Sequence, residues 1–260
     1  MVGKELYRGL KSRQFLFEEL VKRDFKKKYK GTMLGMAWSL LSPLLNLVVM
    51  MVIFSRFFGR TQPHYIIYVF CGNLLYTYFS EATKGGMKCI RENAKIFTKI
   101  SVPKFIFVVA KNAQTLINFC LTMALLAAFC IYDRIEFSWN VLLLVYPVVT
   151  LLLLNIGLGA ILAALYTFFK DMQYLWEVSL RLIMWGSAIF YPVDKIDGAA
   201  KVLFDYNPLY QHIFYFRQIL INGVVPDLSH HLFLAESAVL ALAIGGWLYR
   251  RYNTEFVYYV

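Results

Sequence analysis

Long uncharged runs alternate with short charged segments along most of this chain. The first run, from Gly31 to Ser55, contains 25 residues without a charge. As a helix it would be roughly 37 Å long, which is enough to cross a hydrocarbon core of about 30 Å. Five further apolar segments follow, at residues 61–80, 105–132, 137–169, 175–193 and 232–249. The pattern predicts an all-α integral membrane protein with six transmembrane helices.

The distribution of Lys and Arg predicts the orientation of these helices. Six Lys and Arg residues lie between Val21 and Lys30, directly before the first run. If both termini are cytoplasmic, 19 of the 27 Lys and Arg residues lie on the inside and six on the outside, which agrees with the positive-inside rule. We expect one domain over residues 1–260, composed of a leader (1–30), a six-helix membrane domain (31–249) and a cytoplasmic tail (250–260).

Composition agrees with a membrane protein and narrows its chemistry. Hydrophobic residues make up 59% of the chain and charged residues 17%, with a mean hydropathy of +0.54. The net charge of +11 could indicate nucleic-acid binding, but its distribution follows topology, so no nucleic-acid partner is expected. The four cysteines lie mostly in apolar segments, which argues against a disulfide framework or a zinc site. No cleaved signal peptide is expected.

The leader is typical of an amphipathic helix from Arg13 to Tyr29. Apolar residues recur there at i, i+4, with Leu20 beside them: Phe17, Val21, Phe25 and Tyr29. Such a helix can lie in the headgroup layer with its apolar stripe in lipid and its lysines near phosphates. The alternative is a charged leader that only sets the orientation of the chain. Gly31 and Gly35 are expected to mark the turn into the first membrane helix, and Pro43 a bend within it.

Two segments between the apolar runs carry patterns of their own. In the basic segment from Gly85 to Pro103, residues Met87, Ile90, Ala94 and Phe97 follow a 3-4-3 spacing, which predicts a short helix with one apolar face. That face could fit a groove on a cytoplasmic partner, or the helix could rest on the bilayer. The stretch from Tyr191 to Pro226 mixes proline and glycine with apolar patches, which predicts short external helices that re-enter the outer leaflet.

No enzymatic motif is present in the sequence. It contains no glycine-rich phosphate loop, no HExxH and no Ser/His/Asp grouping. His230 and His231 are adjacent and would not share a helical face, so no metal site is expected. Energised work would therefore need a partner that supplies the motor. Glu177 and Arg181 are four residues apart in the fifth segment, which favours a helical ion pair; alternatively, Arg181 faces a substrate path.

Several motifs together resemble the ABC-2 type permeases of polysaccharide export. The stretch KRDFKKKYKGTMLGMAWSLLSPLL is similar to the start of these permeases, and ISVPKFIF, FFKDMQYLW, AIFYP and YNPLYQHIFYFRQIL follow in the family's order over nearly the whole chain. One departure is Lys170, where the family usually has arginine before the aspartate.

The resemblance implies a homodimeric permease that binds two copies of a separate ABC ATPase. ATP and Mg²⁺ would be bound by that ATPase, and no cofactor by this chain. The cargo would be a polyprenyl-diphosphate-linked O antigen, capsule or teichoic acid, exported across the bacterial plasma (inner) membrane, with membrane lipids as the surroundings. The first and fifth helices would line the conduit, and the leader would be the interface helix.

The resemblance also suggests roles for individual residues. The coupling helix seated on the ATPase would contain Ile90, Arg91, Glu92, Asn93, Lys95 and Phe97. The lipid diphosphate would be recruited by Lys26, Lys27, Lys28 and Lys30. The substrate path would be formed by Trp38, Trp185, Phe190, Tyr191 and Arg181, although aromatic residues line every membrane interface. Two alternatives stay open: a small-molecule or drug exporter of the same superfamily, and a membrane-embedded lipid or glycan transferase.

Overall fold

The computed structural model describes residues 2–58, 64–99, 102–193, 198–257 and 259, and within them all regular structure is helical. The α-helices are, in chain order, α1 (Val2–Tyr29), α2 (Trp38–Phe58), α3 (Tyr65–Glu92), α4 (Ala94–Phe97), α5 (Phe105–Tyr132), α6 (Val145–Phe168), α7 (Met172–Trp185), α8 (Ala199–Asp205), α9 (Pro208–Leu220) and α10 (Leu228–Tyr252). Three parts of the predictions lie outside the described residues: the start of the second apolar run (61–63), the side chain of Tyr29, and residues 194–197 of the stretch predicted to be external (191–226, called the external segment below).

Three helical stretches are long and apolar enough to cross a membrane. They are Phe105–Tyr132, Leu228–Tyr252, and Trp139–Phe168, in which a 3₁₀ turn runs directly into α6. They coincide with the third, sixth and fourth predicted segments. The all-helical, membrane-embedded character predicted from the apolar runs is confirmed, with three candidate spans.

Two predicted boundaries were wrong. The second segment does not end at Ser80, because α3 continues to Glu92 and keeps burying an apolar face that includes Met87 and Ile90. The fifth segment does not continue to Val193. Its helix α7 ends at Trp185, and the chain then turns through the buried Ala188 at φ 47°. This left-handed conformation is incompatible with a continuing helix.

The leader and the external segment contain the helices that their patterns predict. Gly31 and Gly35 adopt φ 82° and 50°, so both supply the left-handed geometry of the turn between α1 and α2. Pro43 lies inside α2. Two short helices, α8 and α9, form in the external segment, and Pro208 occupies the first turn of α9, where its missing N–H costs no hydrogen bond.

Glycines allow the long helices to pack closely. A Cβ on Gly157 of α6 would lie 2.4 Å from the backbone carbon of Ala241 in α10, and one on Gly245 would lie 2.7 Å from the Gly157 carbonyl oxygen. Close approach of backbones at small residues is the usual basis of helix association in membranes. The α6–α10 pair is therefore specified by these glycines.

The buried apolar residues form two cores. The larger one is built mainly from α3, α5, α6 and α9. The smaller one joins the leader, the α3–α4 junction, the first turns of α5, the end of α6 and the C-terminal turn around Phe256. Below, the end of the bundle that holds this smaller core is called the basic end.

Candidate functional site

The leader helix packs its apolar residues against protein, not only against lipid as its pattern suggested. Leu20 is buried in the smaller core, and Phe17 and Val21 pack against the same core. The reason is that α1 lies along α5, so the two apolar faces cover one another. The predicted amphipathic helix exists, but its stripe fixes it to the bundle.

Polar contacts hold the same helix in register with the bundle. The Arg23 guanidinium donates to the Asn93 side-chain oxygen at 2.8 Å, across 70 residues of chain. Asp24 accepts from Arg23 at 2.7 Å and lies 3.8 Å from the Lys111 ammonium. Lys111 interrupts the apolar α5. A Cβ added at Gly85 of α3 would lie only 2.7 Å from Lys111 Cε, so Lys111 packs directly against this glycine. Asp24 therefore lies between two cations, Arg23 of the leader and Lys111 of α5, while the Arg23–Asn93 hydrogen bond joins the leader to the α3–α4 junction.

The four leader lysines are not equivalent. Lys26, Lys27, Lys28 and Lys30 are all exposed. Lys28 differs because it pairs with Glu81 of α3, with its ammonium 2.8 and 3.0 Å from the two carboxylate oxygens. All four lysines therefore lie at the surface, but Lys28 is held by an acid at the mouth of a cavity.

This cavity, called the polar cavity below, lies between α2, α3 and α5 and has a volume of about 400 Å³. Lys28 and Glu81 stand at one end. Its other described lining residues are Thr32, Trp38, Ser39, Ser42, Pro43, Asn46, Phe70, Asn73, Leu74, Thr77, Tyr78, Thr115, Asn118, Phe119 and Thr122. Of the five residues predicted to form the substrate path, Trp38 is the one that lines it. Hydroxyl and amide groups are unusually dense here for the interior of apolar helices.

The predicted coupling segment is not a separate helix with a free apolar face. Ile90 and Phe97 are buried in the smaller core, so the expectation that they enter a partner's groove was wrong. The helix α3 carries Ile90 into contact with the chain's own apolar residues, and the break at Asn93 directs α4 back onto the same core. Asn93 itself is buried and donates to the Cys89 carbonyl at 2.8 Å.

Charged side chains are what this segment offers to a partner. Glu92 and Lys95 are exposed, as is Lys99. Arg91 is half-buried, with its guanidinium 5.1 Å from the centre of the Tyr166 ring. A partner would therefore meet a charged surface supported from behind by the smaller core.

The C-terminal turn supports the same segment. Lys104 donates to the backbone carbonyl of Asn253, and its ammonium lies 5.6 Å from the Phe97 ring and 6.0 Å from the Phe256 ring. Burial lowers the pKa of Lys104. From the sequence, residues 250–260 were predicted to be a cytoplasmic tail. The fold shows that this tail contacts α4 through Lys104.

The residues that were predicted for the substrate path and follow α7 form a folded turn. Trp185 is exposed, Phe190 is buried, and their rings meet edge to face at 5.8 Å. Tyr191 donates to the Trp185 carbonyl, and the exposed Arg181 lies one helical turn before Trp185. The predicted ion pair of Arg181 with Glu177 is absent from the described part of the chain; Glu177 accepts from Gln173 at 3.5 Å instead.

A buried arginine holds this turn in place, and sequence reasoning missed it. Arg217 of α9 donates to the carbonyls of Ala188 (3.0 Å), Ile189 (2.9 Å) and Tyr68 (3.0 Å). Its guanidinium also lies 3.4 Å from the centre of the Tyr68 ring. No pattern in the sequence shows that distant carbonyls converge on this residue.

Tyrosines and an asparagine complete the anchoring of the turn. Tyr65 donates to the Phe190 carbonyl at 2.9 Å, and Tyr68 donates to the Tyr191 carbonyl at 3.0 Å. Asn207 caps α9 by accepting from the Leu209 amide at 3.0 Å, and its amide nitrogen donates to the Gly186 carbonyl at 2.9 Å. Residues 186–191, called the exit turn below, are therefore tied to both α3 and α9.

The adjacent histidines have separate structural contacts. His231 Nε2 lies 2.7 Å from the Tyr215 hydroxyl, and its backbone carbonyl accepts from Tyr146. His230 stacks on Phe214 at 5.0 Å. Among the described residues, no group of three or more His, Cys, Asp or Glu side chains could hold a metal ion.

Comparison with known proteins gives a consistent result. The family model of the ABC-2 type transporters matches residues 16–221. The O-antigen export system permease protein RfbA of Myxococcus xanthus is 27% identical over 255 residues, which cover 96% of this chain and 97% of that protein. RfbA of Klebsiella pneumoniae is 25% identical over 81% of this chain and 83% of its own length. The polysialic acid transport protein KpsM of Escherichia coli is 24% identical, covering 93% and 95%.

Proposed function

This chain belongs to the ABC-2 type transporter family, and we propose that it is the membrane permease subunit of a polysaccharide exporter. One observation carries the proposal. Relatives named for O-antigen export and for polysialic acid transport align with nearly the whole chain, at 96% and 93% of its length. These shares leave only a small part of the chain unaligned, so the resemblance is not limited to one segment of it.

Six crossings with both ends in the cytoplasm are the topology we propose. Three helical stretches are candidate spans by length and hydropathy. The other crossings would be formed by α2, by the apolar half of α3, and by α7 with the exit turn. The 19 to 6 distribution of Lys and Arg supports this orientation, in which the basic end would lie in the cytoplasm.

A homodimer with a conduit lined by α2 and α7 is the proposed assembly. The helix α7 packs little of itself on the rest of the chain and exposes Tyr174, Val178, Leu182 and Trp185 along one side. The helix α2 exposes a similar apolar surface. Faces of this kind suit a second protomer or lipid, and Trp185 and Arg181 would then lie along the path.

Energy would come from a separate ATPase that docks at the basic end. The exposed charges of Glu92, Lys95 and Lys99 would contact it, and the smaller core would transmit the movement to the leader through Arg23 and Asn93. The exposed Lys26, Lys27 and Lys30 would attract the diphosphate of a lipid-linked glycan, since each cation near an anionic surface contributes on the order of 1 kcal/mol.

Deletion of the gene that encodes this chain, with complementation by a plasmid copy, tests the proposal. The deletion strain is expected to lose surface polysaccharide and to accumulate the lipid-linked polymer inside, and the plasmid copy is expected to reverse both. The purified chain is expected to hydrolyse ATP only with a co-purifying ATPase. Normal surface polysaccharide together with altered drug resistance would instead favour the small-molecule exporter and overturn the proposal.

A further inference from the structure

We propose that the polar cavity binds a sugar unit of a lipid-linked glycan, with Lys28 and Glu81 positioned at its mouth beside the lipid diphosphate. The inference rests on the proposed function for the identity of the cargo. It adds a binding site within one protomer, formed by α2, α3 and α5. Helix α7 contributes none of the described lining residues, so this site differs from the part of the proposed conduit that α7 would line.

The lining has the chemistry that recognises carbohydrate. Asn46 and Asn73 offer both amide donors and carbonyl acceptors, and Ser42 and Thr77 offer hydroxyls. Ser42, Asn46 and Thr77 have exposed side chains. Polar groups at this depth cost free energy in hydrocarbon unless a partner satisfies them. A polyhydroxylated ligand would satisfy them, and an acyl chain would not.

An aromatic side chain stands beside these groups. Trp38 lines the cavity and is partly exposed, so its indole is available to the apolar face of a sugar ring while the amides bind the hydroxyls. The lining deeper than Lys28 and Glu81 is uncharged among the described residues. A neutral or weakly charged sugar therefore fits this interior better than a second phosphate.

The dimensions agree with one head group entering from the cytoplasmic side. A volume of about 400 Å³ lies within the range of roughly 300–1,000 Å³ that is typical of small-molecule sites. From Glu81 to Phe70 the cavity follows eleven residues of α3, or about 16 Å of helix. With Glu81 at the headgroup level of the proposed topology, the cavity would extend to about the middle of the hydrocarbon core.

The ion pair at the mouth suits exchange with a phosphate. The side chains of Lys28 and Glu81 are 37% and 42% exposed, and ion pairs with this much solvent contact contribute little to stability. A diphosphate that arrives at the same depth could replace the carboxylate as the partner of Lys28. The sugar attached to it would then lie on the cavity side of the pair.

Lipid binding by the purified permease in nanodiscs, measured by native mass spectrometry without the ATPase, tests the proposal. The probes are undecaprenyl diphosphate carrying N-acetylglucosamine, undecaprenyl diphosphate without sugar, and phosphatidylglycerol. The double variant Asn73→Leu, Thr77→Val removes hydrogen-bonding groups with little change in volume. We expect it to lose at least tenfold in affinity for the glycosylated lipid and less than twofold for the other two.

The matched control is Asn222→Leu, Thr254→Val, which makes the same chemical changes at exposed positions outside the cavity. It is expected to bind all three lipids as the unchanged chain does, whereas Lys28→Gln should weaken both diphosphate lipids alike. Unchanged affinity of the cavity variant for the glycosylated lipid would overturn the proposal. Equal losses for all three lipids would also overturn it, because they would indicate a general lipid site or altered packing.

Export in cells separates this inference from the proposed function. If export depends on the chain but the unchanged permease binds the glycosylated lipid no better than the bare diphosphate, the cavity is not a sugar site and the proposed function stands. If export does not depend on the chain, the proposed function fails whatever the binding assay gives.

Discussion

Replacing Arg217 by methionine should destabilise the exit turn more than any surface substitution. Methionine keeps a comparable length and apolar stem but removes every donor. The carbonyls of Ala188, Ile189 and Tyr68 would then lose the guanidinium to which they are bonded at 2.9 to 3.0 Å. Arg217 is only 6% exposed, so water cannot replace it without local opening of the structure.

The size of the effect follows from these contacts. Hydrogen bonds to a charged group contribute about 1.5–3 kcal/mol each, and a buried carbonyl without a partner costs about 1–3 kcal/mol. The losses are not additive, because the turn can relax, and we expect a total of about 3–5 kcal/mol. For a chain of this length that corresponds to a decrease in Tm of roughly 10 °C. Arg217→Lys should lie in between, since one ammonium cannot reach all three carbonyls.

Two measurements on detergent-purified protein check this prediction. Thermal unfolding gives the change in Tm, and hydrogen exchange of the amides in residues 186–191 tells whether the loss begins at the exit turn. Arg250→Met, at an exposed position on α10, is the control and should change neither. If Arg217→Met matched the unchanged chain in both measurements, the hydrogen bonds of Arg217 to the three carbonyls would not be what stabilises the exit turn.

Three further predictions concern the basic end. Lys27→Gln should lower export when the lipid carrier is scarce but leave Tm unchanged, because this exposed cation attracts the diphosphate and does not pack against other residues. Surface polysaccharide measured at graded carrier supply tests this, and export equal to that of the unchanged chain at limiting carrier would contradict the prediction. Lys95→Glu should reduce co-purification of the ATPase without changing the Tm of the permease. Ile90→Asp should instead lower the free energy of unfolding by about several kcal/mol, because it buries a carboxylate in the smaller core. An Ile90→Asp permease as stable as the unchanged chain would refute the burial of this residue. Arg23→Gln and Asn93→Ala should each lower export per ATP hydrolysed, and the double variant should be no worse than either alone if both act through the same hydrogen bond.

The sequence by itself determined the class of the protein and the positions of its long helices. Apolar runs as long as residues 105–132, which Lys111 alone interrupts, and 137–169 have one low-energy solution in a bilayer, because an unsatisfied backbone there is too costly. The short external helices and the turn at Gly31 and Gly35 could also be read locally, since proline and glycine act through their own backbone. The motifs in family order indicated polysaccharide export without any structure.

Tertiary structure decided which of the patterned residues are available. The spacing of Ile90 and Phe97 predicts an apolar face, but spacing cannot say whether that face meets a partner or the chain's own core. Leader lysines of identical type separate only when Glu81 is brought beside Lys28 from 53 residues away. The polar cavity and the hydrogen bonds of Arg217 to three carbonyls could not be predicted from the sequence, for the same physical reason. Each depends on groups distant in sequence that converge only when the helices pack, and no local periodicity records that convergence.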